Sequence, residues 1–104
     1  MNLNEIGKLC SDIAKSKGFS VARLDDLMSI AFETNLIHGE VSEAFEAARK
    51  QDADVSGKVF HKELIDVLIY VLKLLYDTGA DIDAMLMEKV AFNKNRPYQH
   101  GKRV

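Results

Sequence analysis

The feature that most constrains the fold is a strongly apolar stretch, residues 67–76, in which Lys73 is the only charged residue. A membrane span needs about 20 apolar residues, and this stretch is shorter and lies between the acidic residues Asp66 and Asp77. Its apolar pattern is compatible with a strand, but its length and the absence of nearby turn residues favour a helix. A helix that is apolar on nearly every face is buried, either in a core or between subunits.

The rest of the chain also repeats its apolar residues at helical spacing, and this pattern is broken at only three places. Each break contains a glycine, and the breaks are residues 17–20, 51–57 and 77–80. They predict four helices: one over about residues 3–17, a second capped by Ser20, a third from near Ser56 to before Gly79, and a fourth capped by Asp81. Because the connections are short, residues 1–104 are predicted to form one all-α domain, an antiparallel four-helix bundle.

Composition excludes several classes of function. The chain has 16 acidic and 14 basic residues and a net charge of -2, whereas nucleic-acid-binding proteins usually carry a basic surplus. Its single cysteine cannot form an internal disulfide, which favours a reducing compartment. The N-terminal residues lack the pattern of a signal peptide. We therefore expect a cytoplasmic protein that binds neither nucleic acid nor a membrane.

Two pairs of carboxylates are the candidate metal ligands. Glu40 and Glu43 are three residues apart, as are Glu63 and Asp66, and on a helix this spacing places each pair on one face. Four clustered carboxylates repel one another, which raises their pKa values and favours a bound cation. Oxygen ligands select hard ions such as Mg²⁺ or Mn²⁺. The alternative is that these acids are solvated helix charges, and their spacing alone does not decide between the two interpretations.

The predicted fourth helix carries polar residues that suit phosphate groups. Lys89, Asn93 and Arg96 follow one another at i, i+4 and i+7, and so lie on one stripe of a helix. Lysine and arginine pair with phosphate oxygens, and asparagine can donate to them. Alternatively, the basic residues only complement the dipole at the end of the helix.

In their order and spacing these motifs resemble the MazG-like, all-α nucleoside triphosphate pyrophosphohydrolases. The resemblance covers about residues 24–102, and the matching segments are Glu40-Val41-Ser42-Glu43, then Glu63-Leu64-Ile65-Asp66 continuing to Tyr70, then Lys89, Asn93 and Arg96-Pro97 followed by His100-Gly101-Lys102. The chain departs from the family at Gly39, where many members place a further acid.

The resemblance implies the Mg²⁺-dependent hydrolysis of a nucleoside or deoxynucleoside triphosphate between its α- and β-phosphates, with Mn²⁺ as an alternative ion. The products are a nucleoside monophosphate and pyrophosphate. Glu40, Glu43, Glu63 and Asp66 would hold the metal. We expect Glu40 or Glu43 to be the catalytic residue that takes the proton of the attacking water.

The resemblance also implies contacts with the substrate and between subunits. Lys89, Asn93 and Arg96 would hold the phosphates. Tyr70, one turn after Asp66, would contact the nucleotide as in some family members; the alternative is a core tyrosine with a satisfied hydroxyl. The base is expected to lie against Phe19 and Phe32. The subunits would assemble as homodimers or homotetramers, the latter as a dimer of dimers.

Two other functions remain open at this stage. The phosphoribosyl-ATP pyrophosphohydrolases share the fold and the acidic motifs, although the Lys89, Asn93 and Arg96 stripe looks less like that family. A non-catalytic helical interaction module is a different class of answer, which the presence of all four acids disfavours. The sequence does not specify the base, the sugar or the biological role.

Overall fold

The computed structural model of the chain describes residues 1–50 and 56–97. Over these residues it consists of four α-helices without any strand, which confirms the predicted all-α class. The helices are α1 (Leu3–Ser16), α2 (Leu27–Arg49), α3 (Lys58–Asp77) and α4 (Ile82–Lys94). None of them combines the length and apolar character that crossing a bilayer requires. Most of the predicted break at residues 51–57 lies outside the described residues.

Helix α3 is the centre of the packing, with α1 and α2 against it. Near one end of the α2–α3 contact, Glu33 of α2 meets Lys73 of α3 at 3.0 Å. Farther along α2, Glu43 meets Glu63, an earlier residue of α3. Later residues of α2 therefore meet earlier residues of α3, so these two helices run in opposite directions.

Helix α4 is joined to α1 where both helices begin. Asp81 caps α4 as predicted, because its side chain accepts a hydrogen bond from the Ala84 N–H at 3.2 Å. The Asp83 carboxylate accepts the N–H groups of Leu3 and Asn4 at 3.1 and 3.0 Å. In return, the Asn4 side-chain oxygen accepts the Ile82 N–H at 2.7 Å. Each helix therefore supplies partners for backbone donors that a helix start leaves unpaired.

Beyond this junction α4 is uncovered. Every residue from 84 to 94 is exposed, including large apolar side chains such as Met87, 66% exposed, and Phe92, 57% exposed. Helix α3 likewise keeps part of its apolar surface exposed, for example at Ile65 and Leu68. One chain alone therefore leaves much of its apolar surface in water.

The predicted start of α2 at Ser20 is wrong. The helix begins at Leu27, and its N-cap is Asp26, whose side chain accepts the Ser29 N–H at 3.3 Å. Residues 17–26 form an irregular linker instead, because the Ser20 carbonyl accepts a hydrogen bond from the buried ammonium of Lys73 at 2.9 Å. This contact holds the linker against α3, and α2 begins only at Leu27.

The close contact between α1 and α3 depends on Gly7. A Cβ at this position would lie 2.9 Å from Ile82 Cδ1 and 3.1 Å from the Leu72 carbonyl oxygen. We expect Gly7→Ala to lower the free energy of unfolding by about 1–3 kcal/mol, because backbone atoms must move apart. Urea denaturation measures this change.

Gly39→Ala is the matched control, because a Cβ at Gly39 of α2 would meet nothing within 4 Å. It should raise the free energy of unfolding by about 0.5–1 kcal/mol through helix propensity alone. If Gly7→Ala and Gly39→Ala raised the free energy of unfolding equally, α1 would not approach α3 this closely.

Candidate active site

Three of the four predicted metal ligands converge between α2 and α3. Carboxylate oxygens of Glu40, Glu43 and Glu63 lie within 4.8 Å of one another. Glu40 and Glu43 belong to one face of α2, and Glu63 lies in the second turn of α3. The opposite directions of the two helices bring these distant parts of the chain together. The arrangement thus concentrates negative charge at one end of the α2–α3 interface.

Glu40 is the innermost member of this acidic cluster. Its Oε2 atom is buried and has no hydrogen-bond partner among the described residues. Burial is the main cause that raises the pKa of Glu40, and the nearby Glu43 carboxylate, followed by Asp66 and Glu63, raises it further. A buried carboxylate oxygen without a partner is unfavourable unless it binds a proton or a cation.

Asp66 lies at the edge of the cluster and is exposed. Its charge acts on Glu40, but its oxygens are not within the group of three that lie closest together. It faces a surface groove that Lys62 and Ile65 also line. The four predicted acids therefore form a compact group of three with Asp66 as a neighbour.

Tyr70 lies between the acidic cluster and an apolar cavity. Burial raises the pKa of its hydroxyl, and so do the charges of Glu40, Glu33, Asp66 and Glu43, in that order. The ring of Tyr70 also lines a cavity of about 270 Å³ between α1, the linker and α3, whose other walls include Cys10, Ile13, Phe19 and Ile69. Tyr70 is thus placed where the prediction expects it, on the face of α3 that Asp66 shares.

Of the two phenylalanines expected beside the base, only Phe19 lines this cavity. Phe32 does not line it and is 56% exposed. The longer linker places Phe19, and not α2, against the cavity.

One chain does not bring the predicted phosphate stripe to the acids. The Lys89 ammonium lies 5.0 Å from the centre of the Phe92 ring, and the Arg96 guanidinium lies 5.6 Å from the same ring. No hydrogen bond or ion pair within residues 1–50 and 56–97 joins Lys89, Asn93 or Arg96 to the acidic cluster. Residues 100–102, the end of the segment that resembles the family, lie outside the described part of the chain.

The distance along α3 explains this separation. Helix α4 starts beside the C-terminal end of α3, which is Asp77. Glu63 lies fourteen residues before Asp77 on α3, or about 21 Å away at 1.5 Å per residue. Helix α4 makes few contacts with α3 and so does not run back along it.

Sequence reasoning missed a second charged cluster, which is buried. Lys73 is 4% exposed, and its ammonium donates to Glu33 at 3.0 Å and to Asp77 at 2.9 Å. Ser11 of α1 donates its hydroxyl to the other oxygen of Asp77. Burial alone would lower the pKa of Lys73, but its hydrogen bonds to Asp77 and Glu33 and their charges raise it. The available signal was a single lysine inside the most apolar stretch of the chain.

The comparisons with known proteins give no assignment. No protein-family model matches the chain, and neither a curated protein nor a solved structure matches it.

The raised pKa of Glu40 predicts a pH dependence for the metal-free protein. Between the ordinary value of 4.5 and the raised one, the folded state holds more protons than the unfolded state. The free energy of unfolding should therefore fall as the pH rises through this window and stay low above it. The groups that face Glu40 are Glu43, Asp66 and Glu63.

Urea denaturation at a series of pH values in the presence of a chelator measures this effect. We expect Glu40→Gln to reduce the pH-dependent loss of stability. Glu88→Gln, which removes an exposed carboxylate of α4, should not change it. If Glu40→Gln and wild type lose stability equally across the window, the acidic cluster does not raise the pKa of Glu40.

Proposed function

We propose that the protein is a Mg²⁺-dependent nucleoside triphosphate pyrophosphohydrolase that cleaves between the α- and β-phosphates. The observation that carries this proposal is the convergence of Glu40, Glu43 and Glu63 within 4.8 Å, with a buried Glu40 oxygen that has no partner among the described residues. Solvated helix charges do not need to converge or to bury an oxygen.

The residues of the acidic cluster fit Mg²⁺. Their donor atoms are all carboxylate oxygens, which suit Mg²⁺ or Mn²⁺ better than softer metals. Glu40, Glu43 and Glu63 would hold the ion, with Asp66 as the fourth acid. Bound there, the ion neutralises negative charge on the phosphate oxygens.

The carboxylates also supply the base for the hydrolysis. The oxygen of a water forms the new bond to phosphorus, and the bridging bond between the α- and β-phosphates breaks. The proton of that water passes to Glu40 or Glu43, and the products are a nucleoside monophosphate and pyrophosphate.

The cavity beside Tyr70 suits the ring of the nucleotide. Its volume of about 270 Å³ and its apolar walls accept one flat aromatic ring. Phe19 offers a surface for stacking. Since Tyr70 borders both this cavity and the acidic cluster, a nucleotide that places its ring in the cavity can reach the acids with its phosphates.

We further propose that the enzyme is a homodimer, or a homotetramer built from such dimers. Helices α3 and α4 expose several large apolar side chains, among them Leu68, Met87 and Phe92, and clustered exposed apolar residues mark interaction surfaces. Lys89 and Asn93 lie on α4, and Arg96 lies two residues beyond its end at Lys94. Within the described residues, none of the three bonds to the acids of its own chain. A second copy that covers α4 would both bury this surface and supply the stripe to its partner's acidic cluster.

Pyrophosphate release from a panel of nucleoside and deoxynucleoside triphosphates, with phosphoribosyl-ATP included, tests the reaction. We expect Mg²⁺-dependent turnover by wild type, and no turnover by Glu43→Gln or Asp66→Asn. Thermal melts should show that Mg²⁺ stabilises wild type, by about 2.7 kcal/mol at a hundred times its dissociation constant. Both variants should respond less to Mg²⁺, and without it they should be as stable as or more stable than wild type, because each removes one repelling charge.

Asp12→Asn is the control for these melts, because Asp12 is an exposed carboxylate of α1 that pairs with Lys8 at 2.7 Å. It should keep both the activity and the response to Mg²⁺. Wild type that shows no Mg²⁺ shift, together with variants that remain as active as wild type, would contradict the proposed function. A folded protein without turnover on any of these nucleotides would instead support a non-catalytic module.

The shared site predicts complementation between inactive subunits. Arg96→Ala should lose most of its turnover while it stays folded, and Glu43→Gln should be inactive. If Arg96 acts on the partner's acids, a mixed dimer of the two variants contains one intact site. An equal mixture, after subunit exchange, should therefore recover about a quarter of wild-type activity.

Turnover of the mixture, with light scattering to measure its mass, checks this prediction. Absence of recovery in a confirmed mixed dimer would show that α4 does not act on the partner. A monomer at micromolar concentration would contradict the assembly itself. Activity of Arg96→Ala within about twofold of wild type would reduce the stripe to a solvated helix end.

A further inference from the structure

The buried cluster around Lys73 joins three separate parts of the chain. An ammonium group has three N–H donors. Those of Lys73 go to Glu33 of α2 at 3.0 Å, to Asp77 of α3 at 2.9 Å and to the Ser20 carbonyl of the linker at 2.9 Å. The bond to Ser20 is the one that fixes the linker, because it holds a backbone atom.

Stability alone does not account for such a cluster. Replacing a buried ion pair with apolar residues of similar volume is often neutral or stabilising, because removing charges from water is unfavourable. What a lysine provides here, and an apolar residue cannot, is a directed bond to the linker. That bond holds the backbone at Ser20, and Phe19 is the preceding residue in the chain.

The cluster borders the cavity proposed for the ring of the nucleotide. The side chain of Lys73 lines this cavity together with Phe19 of the linker and Tyr70, which precedes Lys73 by one turn on α3. The charges of Glu33 and Glu40 both raise the pKa of Tyr70, so Tyr70 lies between the buried cluster and the acidic cluster. The two walls, Phe19 and Tyr70, come from different segments, the linker and α3, and the hydrogen bond from Lys73 to the Ser20 carbonyl joins these segments.

We propose that Lys73 is a positioning residue for the ring of the substrate, an inference that rests on the proposed function. By holding the Ser20 carbonyl, it keeps Phe19, the preceding residue, on the wall of the cavity that Tyr70 also lines. The phosphates bind elsewhere, at the acidic cluster, and do not depend on this bond. Lys73 therefore sets the affinity for nucleotides but not the affinity for a phosphate chain that lacks a ring.

The test variant removes the bond to the linker without leaving an unpaired buried charge. It combines Lys73→Met, Glu33→Leu and Asp77→Asn, and the asparagine keeps an acceptor for the Ser11 hydroxyl. Ser11→Ala is the matched control, because it breaks a bond of the same buried cluster but does not affect the bond to Ser20. Circular dichroism and thermal melts establish that each protein folds.

The measurement is calorimetric binding of two probes in the presence of Mg²⁺. One is a nucleoside triphosphate with a methylene group between the α- and β-phosphates, which the enzyme cannot cleave there. The other is inorganic tripolyphosphate, which has no ring. We expect the triple variant to bind the nucleotide at least about tenfold more weakly, as loss of fit in an apolar pocket typically does, and tripolyphosphate within about twofold. Ser11→Ala should lower the melting temperature and change neither affinity.

Several results would overturn the proposal. If the triple variant binds the nucleotide like wild type, Lys73 does not position the ring. If both probes weaken equally, the damage is general and the positioning role is wrong. If the triple variant does not fold, Lys73→Arg is judged by the same criteria, because it keeps a cation for Glu33 and Asp77 but its longer side chain displaces the linker. Wild type that binds neither probe would refute the proposed function, and with it this inference.

Discussion

A single positive charge inside the most apolar helix organises much of this structure. Lys73 cannot remain charged in a buried position without partners, and it finds them on α2, on α3 and in the linker. A slip of α2 along α3 would leave Glu33 as an unpaired buried charge, while Lys73 would keep Asp77 on its own helix. The Glu33–Lys73 pair therefore favours one register over the others. In that register Glu40, seven residues after Glu33 on α2, lies at the level of Asp66, seven residues before Lys73 on α3. Three further residues bring Glu43 to the level of Glu63, and the acidic cluster follows.

The two charged clusters on this interface differ in how their charge is compensated. At one end the protein supplies its own cation, Lys73, which is buried and uses its three N–H donors in hydrogen bonds. At the other end Glu40, Glu43 and Glu63 face one another without any cation from the described residues, and Tyr70 stands between the two ends. Lys73 is a permanent internal cation, whereas the acidic cluster is the place where we propose that an exchangeable cation binds.

Local signals made a large part of this arrangement predictable. Helical periodicity gave the four helices, Asp81 marked the start of α4, and the three-residue spacing of the acids placed each pair on one face of a helix. The start of α2 was wrong because the Ser20 carbonyl bonds to Lys73, a residue 53 positions away. The buried cluster was missed for the same reason, since Glu33 and Lys73 are 40 positions apart and no local pattern links them. The place of α4 depends on the angles between helices, which spacing along one helix does not specify.

The junction between α1 and α4 has a consequence for the order in which the chain folds. Asp83 bonds to the N–H groups of Leu3 and Asn4 across separations of 80 and 79 residues, so this contact closes a loop that contains most of the 104-residue chain. An isolated helix as short as α4, with its 13 residues, is marginal in water. Helix α4 therefore gains its order from docking on α1, and such long-range contacts form late. Among the described helices, α4 is the one whose apolar side chains are most exposed, and it takes its fixed position only after α1 has formed.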